Sequence, residues 1–230
     1  MVHFSNLDGS GAEAEYAGHV RRTSRPAAGG SYARFVKRGL DLLVVLLAAP
    51  FVLPVILLLG LAIARDGGPA FYVQDRVGRG GRVFRIWKLR SMVVDAERRL
   101  EAHLAEDPAA RAEWVTTQKL KNDPRITAVG RLIRKVSLDE LPQLWNVFRG
   151  DMSLVGPRPM LPGQTALYPG RAYYALRPGL TGFWQISRRN ETSFAGRAAY
   201  DTAYAGRISL LTDLLVLAAT VRVVLRGTGY

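Results

Sequence analysis

The chain has 230 residues, with 32 Lys+Arg against 19 Asp+Glu, a formal net charge of +13, 48% hydrophobic residues and no cysteine. That apolar share excludes a disordered polycation, which would lack the burial needed to offset its chain entropy, and the length fits one domain with an appendage. Without cysteine there are no disulfides, thiol nucleophiles or Cys-ligated metals, and the scattered His3, His19 and His103 leave little for a His metal site or charge relay, so chemistry falls to carboxylates, hydroxyls and lysine.

Residues 1–33 balance Asp8, Glu13 and Glu15 against Arg21, Arg22 and Arg25, and are rich in Gly, Ala and Ser without apolar periodicity. They are expected to form a flexible leader. The whole +13 therefore belongs to residues 34–230. Next, Leu42 to Ala64 runs 23 residues without a charge, enough at about 1.5 Å per residue to cross a hydrocarbon core of about 30 Å. Pro50 and Pro54 near its middle each remove a helical hydrogen bond. Arg34, Lys37 and Arg38 precede the run, and Arg65, Arg76, Arg79, Arg82, Arg85, Lys88 and Arg90 follow it. The positive-inside rule thus assigns both flanks to the cytoplasm, which a straight span cannot satisfy and a helix bent back on itself can. A re-entrant membrane helix over 34–66 is preferred to a bitopic span, a buried core helix or a late signal peptide.

After the turn at Asp66-Gly67-Gly68-Pro69, Phe71-Tyr72-Val73 and Arg82 to Leu89 read as a hairpin interrupted by Val77-Gly78-Arg79-Gly80-Gly81. Residues 95–106 read as an exposed helix. Asp107-Pro108 then offers an N-cap and N1 proline for another reaching about Lys119, and Asp123-Pro124 opens a basic amphipathic helix carrying Ile126, Val129, Leu132, Ile133 and Val136. Leu210 to Leu225, interrupted by Asp213 and Arg222, fits a helix lying in the membrane interface. The expected architecture is α/β and mostly helical: a re-entrant membrane hairpin at 34–66 joined to a small cytosolic catalytic domain, 67–230, with interfacial amphipathic helices. An anionic leaflet accounts for the charge at about 1 kcal/mol per nearby Lys or Arg. No stacking platform or helix-turn-helix pattern points to nucleic acid, so none is expected as partner.

The stretch most informative for chemistry is Ser137-Leu138-Asp139-Glu140-Leu141-Pro142-Gln143. Ser137 and Glu140 fit a capping box, which alone would make this only a helix start. A helix start also favours anions, and Arg134 and Lys135 stand beside it, so paired carboxylates among cations point to phosphoryl chemistry with a divalent cation. In Gly156-Pro157-Arg158-Pro159 the flanking prolines limit backbone freedom around an arginine, lowering the ordering cost of meeting a phosphate.

Several ordered blocks resemble one family. They are Lys37-Arg38 with Asp41, Phe84 to Met92, Asp123-Pro124-Arg125, Ser137 to Gln143, Gly150 to Pro159, and Arg177 to Gly182. Together they resemble the bacterial monotopic polyprenyl-phosphate phosphoglycosyltransferases over residues 34–230, most closely the short galactose- or hexose-1-phosphate members that start exopolysaccharide or O-antigen synthesis. The resemblance implies transfer of hexose 1-phosphate, with galactose 1-phosphate preferred, from a UDP-hexose to undecaprenyl phosphate, releasing UMP at the cytoplasmic face of the inner membrane. UDP-glucose or a UDP-N-acetylhexosamine is the alternative donor. It implies Asp139 as nucleophile in a covalent aspartyl intermediate, Glu140 as its partner in metal binding or acid–base work, and Mg2+ held at Asp139 and Glu140. Lys88, Arg134 and Arg158 are the expected phosphate ligands, and Arg189 is expected near the uridine diphosphate. Self-association into a homo-oligomer stays open. The family's helix-breaking Ser-Pro is altered here: Pro54 takes the proline position and Leu53 stands where serine would be, with Pro50 as an added breaker.

Overall fold

The computed structural model describes residues 30–117, 120–187 and 193–225, so most of the expected leader lies outside it. A wide helical turn at Tyr32–Val36 leads directly into helix α1, Lys37–Ala64, so the leader ends slightly earlier than the composition suggested. Pro50 and Pro54 both lie inside α1. Its buried residues are Asp41 and Val45 near one end and Gly60 and Ile63 near the other; none lies between. Only 6% of its most apolar window is buried, which discards the reading of a soluble core helix. It is a helix long and apolar enough to enter a bilayer, and both of its ends pack on the same body.

Each end is fixed by charged hydrogen bonds. Near the start, the Arg38 guanidinium donates to the carbonyls of Val147 (2.5 Å) and Phe148 (2.8 Å), and the Asp41 carboxylate accepts from the Ser153 hydroxyl and the Leu154 N–H. At the far end Arg90, 7% exposed, donates to both oxygens of Asp66 and to the carbonyls of Ile63 and Pro69.

Strands β1, Phe71–Val77, and β2, Val83–Leu89, pair antiparallel with Phe71 opposite Leu89 and Val77 opposite Val83, confirming the expected hairpin. Alternation along β2 sends Ile86 into the main core and Leu89 into a second cluster with Ile63 and Ile133. Helices α2, Ala96–Glu106, and α3, Pro108–Thr117, follow as expected, and Asp107 accepts from the Ala109 and Ala110 N–H groups. The next expectation is corrected. Helix α4 spans Ala128–Lys135 and is N-capped by Thr127, whose hydroxyl accepts from Gly130 N–H. Asp123 instead pairs with Arg125 at 2.6 Å in the preceding turn, because a carboxylate two residues from a guanidinium closes a local bidentate pair.

Helix α5, Gln143–Arg149, ends at Gly150 with φ 89°, a left-handed cap that glycine adopts without a Cβ clash. Strand β3, Ser153–Val155, runs parallel to β4, Gly179–Thr181. The two backbones approach closely here: a Cβ at Gly156 would lie 2.4 Å from the Arg177 carbonyl. Short helices α6, Ala172–Ala175, and α7, Phe183–Ile186, precede α8, Arg197–Ala205, and α9, Leu210–Leu225. The main core joins Val45 of α1, Ile86 of β2, Val147 of α5, Trp184 of α7, Tyr204 of α8 and Val216 of α9. Asp213 of α9, 1% exposed, accepts from Lys37, Tyr32 and Tyr204, tying α9 to the base of α1. Leu211 and Val221 on α9, and the stacked pair Trp145 and Phe148 on α5, remain exposed.

Candidate active site

The site begins where α4 ends. Ser137 takes a left-handed conformation, φ 57°, and the chain turns into a short 3-10 segment, Leu138–Glu140. Such a conformation is costly for serine and persists because its surroundings hold it. Leu138 packs on the Ile63–Leu89–Ile133 cluster, which anchors the turn. The capping box expected of Ser137 and Glu140 does not form: Ser137 makes no side-chain cap. The Glu140 carboxylate turns away to accept from Lys88 Nζ at 2.7 Å and Arg158 Nη2 at 3.3 Å.

Lys88 is placed by an unusual clamp on β2. Asn146, 1% exposed, donates its amide to the Arg85 carbonyl (2.8 Å) and accepts from the Trp87 N–H (3.2 Å), doing for the strand what a third strand would do. Arg158 follows the buried Pro157, whose carbonyl accepts from Gly179 N–H, so the β3–β4 pairing fixes its backbone. The two cations arrive on Glu140 from separate, rigid pieces of chain.

The adjacent carboxylates sit in opposed electrostatic surroundings. Burial pushes Glu140 up, but Lys88 and Arg158 outweigh it and hold the carboxyl at about 2, so it is ionised at neutral pH and cannot serve as an acid there. Asp139 is 9% exposed. Burial raises its pKa above the ordinary carboxylate value; Lys88, Arg134 and Arg158 oppose that and Glu140 reinforces it. No described residue donates a hydrogen bond to the Asp139 carboxylate, so its lone pairs face the cation cluster uncommitted.

Of the expected site residues, the structure therefore brings together Asp139, Glu140, Lys88 and Arg158, with Arg134 close enough to act on Asp139 by its charge. Arg189 lies outside the described residues. No group of three or more acidic or imidazole side chains gathers among the described residues. Two adjacent carboxylates, one of them accepting no hydrogen bond from the described residues, are nevertheless a fitting donor set for Mg2+, which usually takes one or two protein carboxylates and completes its shell with water and substrate phosphates.

Two arginines escaped the sequence reading. Arg76 of β1 and Arg197 of α8 both lie near Arg158, and each has its Nε buried without a partner. They are 121 positions apart in sequence; only the weak signal of an arginine within an apolar strand pattern marked Arg76.

The chain matches the bacterial sugar transferase family over residues 32–227. It is 49% identical over 199 residues to a UDP-galactose-lipid carrier transferase of Erwinia amylovora and 48% identical over 199 residues to an undecaprenyl-phosphate galactose phosphotransferase of Salmonella typhimurium, covering 86% of this chain but 42% of each relative. It thus spans less than half the length of those two proteins. It is 46% identical over 196 residues to the exopolysaccharide production protein ExoY of Sinorhizobium fredii, covering 84% of this chain and 87% of that one. With the match running from the foot of α1 through the carboxylate pair to α9, the chain belongs to the bacterial sugar transferase family.

Proposed function

We propose that the protein transfers hexose 1-phosphate, with galactose 1-phosphate the preferred group, from a UDP-hexose to undecaprenyl phosphate, releasing UMP, as the first step of exopolysaccharide or O-antigen synthesis. The observation that carries the reading is the buried Asp139 carboxylate, which accepts no hydrogen bond from the described residues, among Lys88, Arg134 and Arg158 and beside an ionised Glu140. The names of the relatives support the donor and acceptor classes. The charge on both flanks of α1 supports a site at the cytoplasmic face of the inner membrane.

The chemistry follows from the residues. An Asp139 oxygen attacks the sugar-bearing phosphorus of the donor; the P–O bond to the UMP oxygen breaks, and UMP leaves with that electron pair. An oxygen of undecaprenyl phosphate then attacks the same phosphorus, and Asp139 is released as carboxylate with the lipid diphosphosugar as product. A phosphate with its second pKa near 6 is largely ionised at neutral pH, so the second step needs no strong base, in keeping with an ionised Glu140. Lys88, Arg134 and Arg158 offset the repulsion between a carboxylate and a dianionic diphosphate. Asp139 and Glu140 would hold Mg2+, which supplies further neutralisation of that charge.

The test uses the detergent-solubilised full chain with undecaprenyl phosphate, magnesium and a panel of UDP-galactose, UDP-glucose and two UDP-N-acetylhexosamines. UMP release is expected, fastest with UDP-galactose; no release from any donor refutes the reaction. Intact-mass analysis with donor alone should show one added phosphohexose, absent in Asp139→Asn. Full activity of that variant refutes the assigned nucleophile.

A further inference from the structure

Arg197 is the side chain whose polar needs the protein leaves most plainly unmet. Its guanidinium lies between two rings, 4.1 Å from the centroid of Trp184 and 4.7 Å from that of Phe194. Its Nε is buried without a partner, and it makes no hydrogen bond or ion pair among the described residues. Arg76 also has an unpartnered buried Nε, and its one side-chain hydrogen bond is to Gln74. The Arg158 guanidinium stands 5.8 Å from the same Trp184 ring. After burial, the charges of Arg158 and Arg76 help depress the Arg197 pKa to about 10. The three cations thus feel one another, which rigid protein tolerates poorly unless an anion completes the cluster.

Arg158, Trp184, Phe194, Arg197 and Asp201 line one small surface depression. The charge of Asp201 partly opposes the depression of the Arg197 pKa, but Asp201 forms no ion pair with it among the described residues: its Oδ2 accepts from the Tyr168 hydroxyl at 2.7 Å, and burial raises its pKa to about 7. Arg158 joins this depression to the Glu140–Lys88 cluster, since it also donates to Glu140. The membrane helix α1 packs chiefly on α5, β2, β3 and α4, and none of these lines the depression.

The geometry points to Arg197, with Arg76 and Arg158, as the binding site for the phosphate of the nucleoside monophosphate that leaves the donor. This rests on the sugar-nucleotide reading above. The stacking rings fix the guanidinium plane before the ligand arrives, so little ordering cost remains when its N–H groups meet phosphate oxygens.

The experiment is calorimetric titration of UMP into the full chain in lipid nanodiscs, together with KM for UDP-galactose and for undecaprenyl phosphate. Arg197→Ala is expected to weaken UMP roughly ten- to hundredfold, the loss of one or two hydrogen bonds to a charged group, and to raise KM for UDP-galactose while leaving KM for undecaprenyl phosphate unchanged. Arg197→Lys should recover part of the affinity, and uridine without phosphate should be insensitive to either change. If Arg197→Ala does not fold, Arg76→Gln carries the same expectation. UMP affinity within about twofold of wild type overturns the inference, as does a loss confined to undecaprenyl phosphate, which would assign the cluster to the lipid. UMP binding that depends on Arg197 in a protein that transfers no sugar phosphate upholds this site and refutes the reaction.

Discussion

Replacing Glu140 with Gln and, separately, Asp139 with Asn should move stability in opposite directions. Glu140 is held at about 2 against an ordinary 4.5; at about 1.36 kcal/mol per pH unit, its ionised form contributes about 3 kcal/mol to the fold at pH 7. Its side chain is 17% exposed, so solvent screening takes away little of that. Because the folded pKa is depressed, the contribution is present above pH 4.5 and fades as pH falls through about 2. For a chain of this length, about 2–4 °C per kcal/mol translates the loss into roughly 6–12 °C of apparent melting temperature. Asp139 has a raised pKa, chiefly from burial; its penalty opens as pH rises above 3.8, and Asn removes it. Apparent melting should be followed by tryptophan fluorescence on detergent-solubilised protein at one scan rate, from pH 5 to 8. Glu140→Gln should melt lower at every pH, while Asp139→Asn should melt no lower than wild type, with a gain that does not shrink towards pH 8. Equal falls for both variants would refute the electrostatic reasoning for the site.

Two other perturbations test the frame around it. Asn146→Ala leaves the Trp87 N–H and the Arg85 carbonyl unpaired, so it should cost about 2–4 kcal/mol and lower UMP release as well, since Lys88 follows Trp87 directly; unchanged melting and turnover would show that the clamp is dispensable. Asp201 is raised from 3.8 to about 7, so its contribution is complete below pH 3.8 and lost as pH rises through 7, a swing of about 4 kcal/mol. Asp201→Asn, still able to accept from Tyr168, should raise the melting temperature at pH 8 and much less at pH 5, and a lower value at pH 8 contradicts the assignment.

Much of the frame was legible because it depends on local pattern. The β1–β2 hairpin follows from two apolar runs around a glycine-rich break, and α3 follows from an N-cap beside proline. The uncharged run announced a long apolar helix, and α1 spans Lys37–Ala64. The errors arose where a side chain found a partner other than the backbone group that local pattern assigned to it. Glu140 looked like a capping carboxylate because its neighbour is serine, yet its strongest partner, Lys88, lies 52 positions away. Asp123 looked like an N-cap, but Arg125 captured its carboxylate and left the role to Thr127. Arg76 and Arg197 were hard to find because their meaning depends on a shared neighbour, Arg158, that no local window contains.

The way α1 is fastened makes the apolar helix a structural member of the folded body that carries the Asp139 turn. Val45 completes the main core, Ile63 closes the cluster under the Asp139 turn, and Arg38 satisfies the last carbonyls of α5. An excised soluble piece beginning after residue 66 would therefore open two hydrophobic wounds and strip the carbonyls of Val147 and Phe148 of their donor. Trimming away the greasy segment to ease purification would dismantle the floor under the Asp139 turn.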